Sequence, residues 1–306
     1  MKVGLVGLGR MGAAIAQRLN ERGCEIVAWD RNPKAREAQA KRGLRIVNNP
    51  HAVANAADVV LSIITEDKGV RQIFAGPDGF LSVEIKGKLF IEMSTLQPMT
   101  HRELAPMVSA RGASLVDPPV MGSIPTVREG KLLALLGGEA SDVERARSVL
   151  DHLTRRIVHI GPNGAGCAMK LAVNLGMAVY LQSLAEAISL GASEGLKLDQ
   201  MLDIFGEAPT ASPWLRGKVG VLKGEPGDIT LDIRTMRKDV MSAIATGARN
   251  GVAMPATSGT LASLSAAVGG GWGDRDLAEV PRYFREFMPQ AMNRARDRNA
   301  VRLLPD

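Results

Sequence analysis

The feature that most constrains the fold stands at the start of the chain. Residues 3–6 form a short apolar run that passes directly into Gly7-Leu8-Gly9-Arg10-Met11-Gly12, a G-x-G-x-x-G that opens a helical stretch over 11–22. A strand, a glycine turn and a helix in that order begin a βαβ unit, and each glycine has its own task. Gly7 permits the tight turn, Gly9 lets the main chain approach a pyrophosphate, and Gly12 lets the helix pack closely on the strand. Free N–H groups and the positive end of the helix dipole then receive the phosphates. Asp30 ends the next apolar run, 25–29, about 20 residues further on. A carboxylate there accepts hydrogen bonds from the adenosine ribose hydroxyls and repels a 2′-phosphate, which favours NAD over NADP. Arg31 follows at once and could pair with a 2′-phosphate, so NADP is the alternative.

The alternation continues through the first half. Residues 33–42, 98–111 and 141–153 read as helices, and 44–47, 59–64, 89–92, 114–116, 132–136 and 157–160 as strands. Strands alternating with helices imply one parallel sheet covered on both faces. The pattern changes after the turn-forming cluster Gly161-Pro162-Asn163. Beyond it, 165–191 is a long helical run, and 240–250, 255–267 and 277–288 continue the helical signal with no further strand of similar strength. The expected architecture is α/β: a Rossmann-type doubly wound N-terminal domain over 1–161, then an all-α C-terminal domain over 162–306 for substrate and oligomerisation. The active site is expected in the cleft between them. The apolar stretch 171–190 is interrupted by Asn174, Gln182, Ser183 and Glu186 and reads as a buried helix, not a membrane span. The chain start lacks a signal-peptide core.

Composition narrows the chemistry. A length of 306 residues suits two cores of ordinary size, and 45% hydrophobic with 23% charged residues makes disorder a poor reading. The net charge of +6 suits anionic ligands such as phosphates and carboxylates. A nucleic-acid role lacks a reader motif, and aromatics at 4% leave little for stacking on bases. Two cysteines, Cys24 and Cys167, are too few for a disulfide framework or a four-ligand zinc site, and both are expected to be reduced in a cytoplasmic protein. The histidines, His51, His101, His152 and His159, show no ligand spacing, so no metal site is expected.

Lys170 and Asn174 stand four apart on the long helical run, hence on one face, with Gly164 and Gly166 just before them where the backbone could come close to a ligand. A lysine on a largely apolar helix is buried, snorkelling or functional, and periodicity alone weighs snorkelling as heavily as function. Burial would lower its pKa, and Lys238, if near, would lower it further by repulsion. Such a lysine exchanges a proton near neutral pH. Lys238 and Asp239, with Arg234 and Arg237 nearby, form either a solvated charged face or part of a site. Trp214 is either a pocket wall or a core residue. The run Gly269-Gly-Gly-Trp-Gly273 with Asp274 and Asp276 reads as a chain reversal that caps a helix.

Taken in order, these motifs resemble the β-hydroxyacid dehydrogenase family over almost the whole chain. The resemblance is carried by the Gly7–Gly12 fingerprint with Met11, by Glu92-Met-Ser-Thr95, and by Asp117-Pro-Pro-Val-Met-Gly122. Its most specific piece is Gly164-Ala-Gly166-Cys-Ala-Met-Lys170-Leu-Ala-Val-Asn174, which is similar to the family's G-x-G-x-x-x-K-x-x-x-N signature, and Lys238-Asp239 follows. The resemblance implies an NAD(P)-dependent oxidoreductase that moves a hydride between nicotinamide and a small β-hydroxy acid or its semialdehyde or keto form, with Lys170 as general acid and base. It implies substrate contacts from Met121, Gly122, Ser123, Asn174 and Lys238. It implies cofactor contacts from Gly7, Leu8, Gly9, Arg10, Met11, Gly12, Asp30, Arg31, Thr65, Thr95 and again Lys238, and a homodimer or homotetramer. Ser94-Thr95 also reads as an N-cap before Pro98. Many relatives carry a serine where Met121 stands. Met121 has no donor, so the amides of Gly122 and Ser123 and the Ser123 hydroxyl are left to hold a carboxylate. Two other readings are a nucleotide-binding sensor without catalysis and an imine reductase-like enzyme.

Overall fold

In the computed structural model, which describes residues 1–287, the chain divides into two compact units. The first comprises Met1–Val173 with Ala248–Asn250, the second Asn174–Gly247 with the described residues from Gly251 on.

The first unit begins β1 (Lys2–Val6), α1 (Arg10–Glu21), β2 (Glu25–Trp29), α2 (Pro33–Ala40), β3 (Arg45–Ile46), α3 (Pro50–Ala56), β4 (Val59–Ser62), α4 (Asp67–Ala75), β5 (Leu89–Glu92), α5 (Pro98–Ser109) and β6 (Ser114–Val116). The six strands form one parallel sheet in the order β3-β2-β1-β4-β5-β6. The order reverses between β1 and β4, the topological switch point at which such sheets bind ligands beyond the carboxyl ends of their strands. The strands read as continuous apolar runs because both faces are covered. Leu5, Ile15, Leu19 and Ile91 fill one side, and Val6, Val60, Phe74, Phe80 and Phe90 the other. The three phenylalanines meet at centroid distances of 4.9 to 5.4 Å. Helices α3 and α4 escaped the sequence reading because they are short. Pro50 at the first turn and the Asn49 carboxamide, which accepts the Ala52 N–H, are the local signature of α3.

The expectation of a single sheet fails after β6. A second, three-stranded sheet follows, with β7 (Val120–Met121), α6 (Ile124–Arg128), β8 (Leu132–Gly137), α7 (Ala140–Leu150) and β9 (Thr154–Gly161). Strand β7 runs antiparallel to β8, and β8 parallel to β9. Pro118 and Pro119 have no N–H for a ladder, so the chain leaves the first sheet there; Asp117 bridges to Gly137, and the Pro119 carbonyl accepts the Leu135 N–H at 3.0 Å.

Helix α8 (Ala165–Ser193) belongs to both units. The second unit continues with α9 (Leu198–Glu207), α10 (Pro213–Lys223), α11 (Ile233–Arg249), α12 (Pro255–Ala267) and α13 (Val280–Phe287). Helices α9 and α10 were missed by the sequence reading, and Met288 of the last predicted helix lies outside the described residues. Burial along α8 follows Cys167, Leu171, Asn174, Ala178, Leu181, Ala185 and Ile188, one face of the helix. The rest is more open than a buried helix requires, with Leu190 68% exposed. Its length and apolar composition would suffice to cross a membrane. Trp214 packs against the second unit's core. Gly271, at φ +84°, turns the chain after α12. Asp276 then accepts the Ala278 N–H, the Thr230 N–H and hydroxyl, and the Lys218 ammonium at 2.9 Å.

Candidate active site

The glycine loop after β1 separates three steric roles. A Cβ on Gly7, whose φ is +101°, would lie 2.1 Å from the Ile63 carbonyl oxygen, and one on Gly12 would lie 2.0 Å from that of Gly7. Those two glycines are demanded by the protein itself. A Cβ on Gly9 would meet nothing within 4 Å. Gly9 is also the N-cap of α1 and supplies no side chain to its first turn, so the helix N-terminus opens onto a cradle with the shape and polarity a pyrophosphate needs. Asp30 is held at the end of β2. Its Oδ2 accepts the Leu8 N–H at 2.6 Å, its Oδ1 accepts the Asn32 N–H at 2.7 Å, and Arg36 donates to its carbonyl at 3.0 Å. Met11 is half-buried, while Arg10, Arg31 and Thr65 are exposed.

The neighbouring strand ends are tied by a polar network that sequence reasoning missed. Glu92 is fully buried. Its carboxyl accepts hydrogen bonds from the Ser62 hydroxyl and from the Ser94 N–H, and the Ser94 hydroxyl in turn accepts the Ile64 N–H at 2.8 Å. Burial pushes the Glu92 carboxyl up to about 7, against the lowering effect of these donors. The network fixes the loops after β4 and β5, which carry Thr65 and Thr95. The N-cap expected at Ser94-Thr95 lies instead at Gln97, and Ser94 Oγ serves the Ile64 amide. The Asp67 carboxylate caps this start of α5 by accepting the Gln97 N–H at 3.0 Å and the Thr100 hydroxyl at 2.5 Å.

The start of α8 is anchored by Asp117. Its Oδ1 accepts the Gly164 N–H at 2.7 Å and its Oδ2 the Cys167 N–H at 3.1 Å. Burial pushes this carboxyl up to about 7, although the Gly164, Cys167 and Gly166 amides and the Asn163 side chain pull it down. The glycines of this motif serve packing. A Cβ on Gly166 would lie 2.2 Å from the Asp117 carbonyl oxygen and 2.3 Å from that of Leu135, and one on Gly164 would lie 2.6 Å from the Pro98 oxygen. The expectation that they admit a ligand is therefore replaced by close approach of the helix to its own scaffold. Lys170 follows one turn later and is half-buried. His101, on α5, is fully buried, which pushes its imidazole down to about 3.

In the second unit, Asn174 is buried and donates through Nδ2 to Asp239 Oδ2 at 2.6 Å. Lys238 places its ammonium 2.7 Å from the other oxygen, Oδ1, as an ion pair. Asp239 is only 2% exposed, so it is not on a solvated charged face. The structure thus brings Asn174 and Lys238 to the two oxygens of one carboxylate. Asp239 is the residue whose part the sequence did not reveal. Met121, Gly122 and Ser123 form the turn from β7 into α6, with Gly122 at φ +138° and the Ser123 hydroxyl 3.2 Å from that of Thr126.

Comparison with known proteins agrees with this geometry. Residues 2–161 match the model of the NAD binding domain of 6-phosphogluconate dehydrogenase, and residues 164–284 match the NAD-binding model of NADP-dependent 3-hydroxyisobutyrate dehydrogenase. The chain is 26% identical over 280 residues to glyoxylate/succinic semialdehyde reductase 1 of Arabidopsis thaliana, covering 92% of this chain and 97% of that one. It is 30% identical over 255 residues to 3-hydroxyisobutyrate dehydrogenase of Pseudomonas aeruginosa, covering 79% and 84%. A solved 3-hydroxyisobutyrate dehydrogenase of Mycobacterium tuberculosis, with L-serine, superposes with a TM-score of 0.81 at 28% identity, covering 93% and 99%. From the nucleotide loop to the last described helix, the chain belongs to the NAD(P)-dependent β-hydroxyacid dehydrogenase family.

Proposed function

We propose that Lys170 is the proton-transfer group for oxidation of a small β-hydroxy acid, or for reduction of its semialdehyde or keto form. One observation carries this reading. Lys170 stands one turn before Asn174 on α8, and Asn174 is locked by the Asp239 carboxylate that also engages Lys238. In oxidation, neutral Lys170 Nζ accepts the substrate hydroxyl proton. In reduction, its ammonium polarises the carbonyl oxygen and then protonates it. When bound, the nicotinamide supplies or takes the hydride. Asn174 spends one amide N–H on Asp239 and keeps its carbonyl oxygen and second N–H for a substrate hydroxyl or carboxylate. Lys238, with the Gly122 and Ser123 amides, answers the substrate's negative charge. Gly9, Leu8, Arg10 and the first turn of α1 hold the pyrophosphate. Asp30 keeps lone pairs beyond those given to Leu8 and Asn32 and uses them on the ribose hydroxyls. NAD is therefore favoured over NADP, with Arg31 as the residue that would admit the latter. Thr65 and Thr95 contact the cofactor.

The small acids named for the relatives set the size of the substrate. The same reading divides the chain into a dinucleotide-binding domain over 1–161 and a helical domain over 162–306. It makes the protein a cytoplasmic homodimer or homotetramer, supported by the exposed apolar side chains Leu190 on α8 and Ile204 on α9. The test is reduced-nicotinamide absorbance with NAD and NADP against a panel of small hydroxy acids and semialdehydes. Lys170→Ala is expected to lower kcat by about a hundredfold or more while cofactor binding persists. A Lys170→Ala enzyme that keeps its rate would remove the lysine from the reaction.

A further inference from the structure

His101, Asp117 and Cys167 are far apart in sequence and meet inside the first unit. His101 lies on α5, Asp117 follows β6, and Cys167 is in the first turn of α8. A ring nitrogen, a carboxylate oxygen and the thiol sulfur all lie within 4.8 Å of one another. All three residues are 0% exposed. Among the described residues, neither ring nitrogen of His101 has a hydrogen-bond partner. A buried polar group left in this way has lost its hydrogen bonds to water without replacing them, and native interiors rarely tolerate it without a ligand or ion to answer it.

We propose that these side chains hold a zinc ion, with the Ser94 carbonyl oxygen as the fourth ligand. Imidazole nitrogen, thiolate sulfur and carboxylate oxygen are the donors that zinc accepts in tetrahedral sites. The charges balance, because one thiolate and one carboxylate neutralise the divalent ion and the imidazole stays neutral. Zinc–ligand bonds of about 2.0–2.3 Å set neighbouring ligand atoms roughly 3.5 Å apart in a tetrahedron. Cys167 Sγ and the Ser94 oxygen already lie 3.4 Å apart. Asp117 gives one lone pair of each oxygen to the Gly164 and Cys167 amides, and the ion would take the place of the further donor Asn163, whose Nδ2 also donates to the Leu115 carbonyl at 2.7 Å. Those amides also fix the carboxylate's orientation, as supporting hydrogen bonds do around metal ligands. On binding, the Cys167 thiol proton leaves to solvent, and the S–H contact to Ser94 is replaced by bonds to the ion. Four protein ligands make the site closed and structural. It clamps the first turn of α8, just before Lys170, to the ends of β5 and β6 and to α5.

The test uses the full chain, purified under reducing conditions and freed of metal by dialysis against a chelator. Zinc uptake is measured by elemental analysis and calorimetry, cobalt uptake by electronic absorption, and stability by thermal melting. The expected result is one zinc per chain, a melting temperature raised by several degrees, and a cobalt form with a thiolate-to-metal charge-transfer band. Cys24→Ala is expected to bind like the unsubstituted chain. Cys167→Ser and His101→Gln are expected to bind at least about a hundredfold more weakly, with Cys167→Ser also losing the band. If either variant fails to fold, the cobalt spectrum of the unsubstituted chain decides alone. A folded chain that takes up no zinc, a cobalt complex without the thiolate band, or variants that bind zinc as tightly as the unsubstituted chain overturns the proposal.

Discussion

Gly166→Ala tests whether the start of α8 is as tightly seated as its geometry demands. The new Cβ would lie 2.2 Å from the Asp117 oxygen and 2.3 Å from the Leu135 oxygen, and real Cβ atoms do not come closer than 3.0 Å. Both neighbours are main chain of the scaffold, so the helix must withdraw by about 0.8 Å, from 2.2 to 3.0 Å. That movement stretches the Gly164 and Cys167 amides away from Asp117, where they now lie at 2.7 and 3.1 Å. Hydrogen bonds to a buried carboxyl contribute about 1–3 kcal/mol each, so losing two costs roughly 2–6 kcal/mol. This is a large part of the 5–15 kcal/mol that typically holds a domain together. The measurement is urea unfolding followed by tryptophan fluorescence and circular dichroism, with Gly9→Ala as the control. Gly9 has open space at its Cβ position, so its substitution is expected to leave stability within about 0.5 kcal/mol while weakening cofactor binding. Equal unfolding midpoints for Gly166→Ala and the unsubstituted chain would refute the argument. So would a Gly9→Ala chain as unstable as Gly166→Ala.

Asp30→Ser is expected to shift the ratio of kcat/KM for NAD over NADP toward NADP by about tenfold or more, because the repelling charge is gone and Arg31 remains; steady-state kinetics with both cofactors checks it. Asp239→Ala removes the carboxylate that accepts the Asn174 amide and pairs with the Lys238 ammonium, and is expected to destabilise the second unit by about 3–5 kcal/mol. Chemical denaturation reads that loss, and an unchanged midpoint would show that the ion pair holds nothing. Burial raises the Asp276 carboxyl, but the Lys218 ammonium and the Ala278 and Thr230 amides outweigh burial and hold it below its ordinary value. Its contribution to stability is then present above the unfolded carboxylate pKa and lost as the pH falls through the lower folded value. The stability advantage over Asp276→Asn should accordingly shrink below about pH 4, and melting curves from pH 7 to 3 would contradict this if the gap stayed constant.

The sequence disclosed those features whose physics is local. The glycine loop was legible because strand, turn and helix are contiguous, and the bounds of β2, β5 and α12 were read correctly from periodicity and from Pro255. The second sheet was not legible, because two-residue β7 carries no period and the only cue was Pro118-Pro119. Asn174 was visible from its helical spacing to Lys170. Its anchor Asp239 was not, since that contact joins residues 65 positions apart. The same limit hid the meeting of His101, Asp117 and Cys167, which a search for closely spaced ligands passes over. Gly164 and Gly166 were recognised as necessary, but for approach to a ligand, whereas backbone oxygens of their own domain account for both.

The 29-residue continuity of α8 has a consequence for how such a protein changes over time. Four residues of α-helix rise about 6 Å, so the interval from Lys170 to Asn174 is written in backbone hydrogen bonds alone. No loop insertion, altered turn or repacked neighbour can alter that interval without breaking the helix itself. Met121 and Ser123, by contrast, flank Gly122 between β7 and α6, and their side chains can be exchanged one at a time while Gly122, at φ +138°, keeps the turn. The chain therefore separates what must stay constant from what is free to drift. Under the proposed roles, a lineage can try new acids at the turn while the spacing between lysine and asparagine is inherited intact.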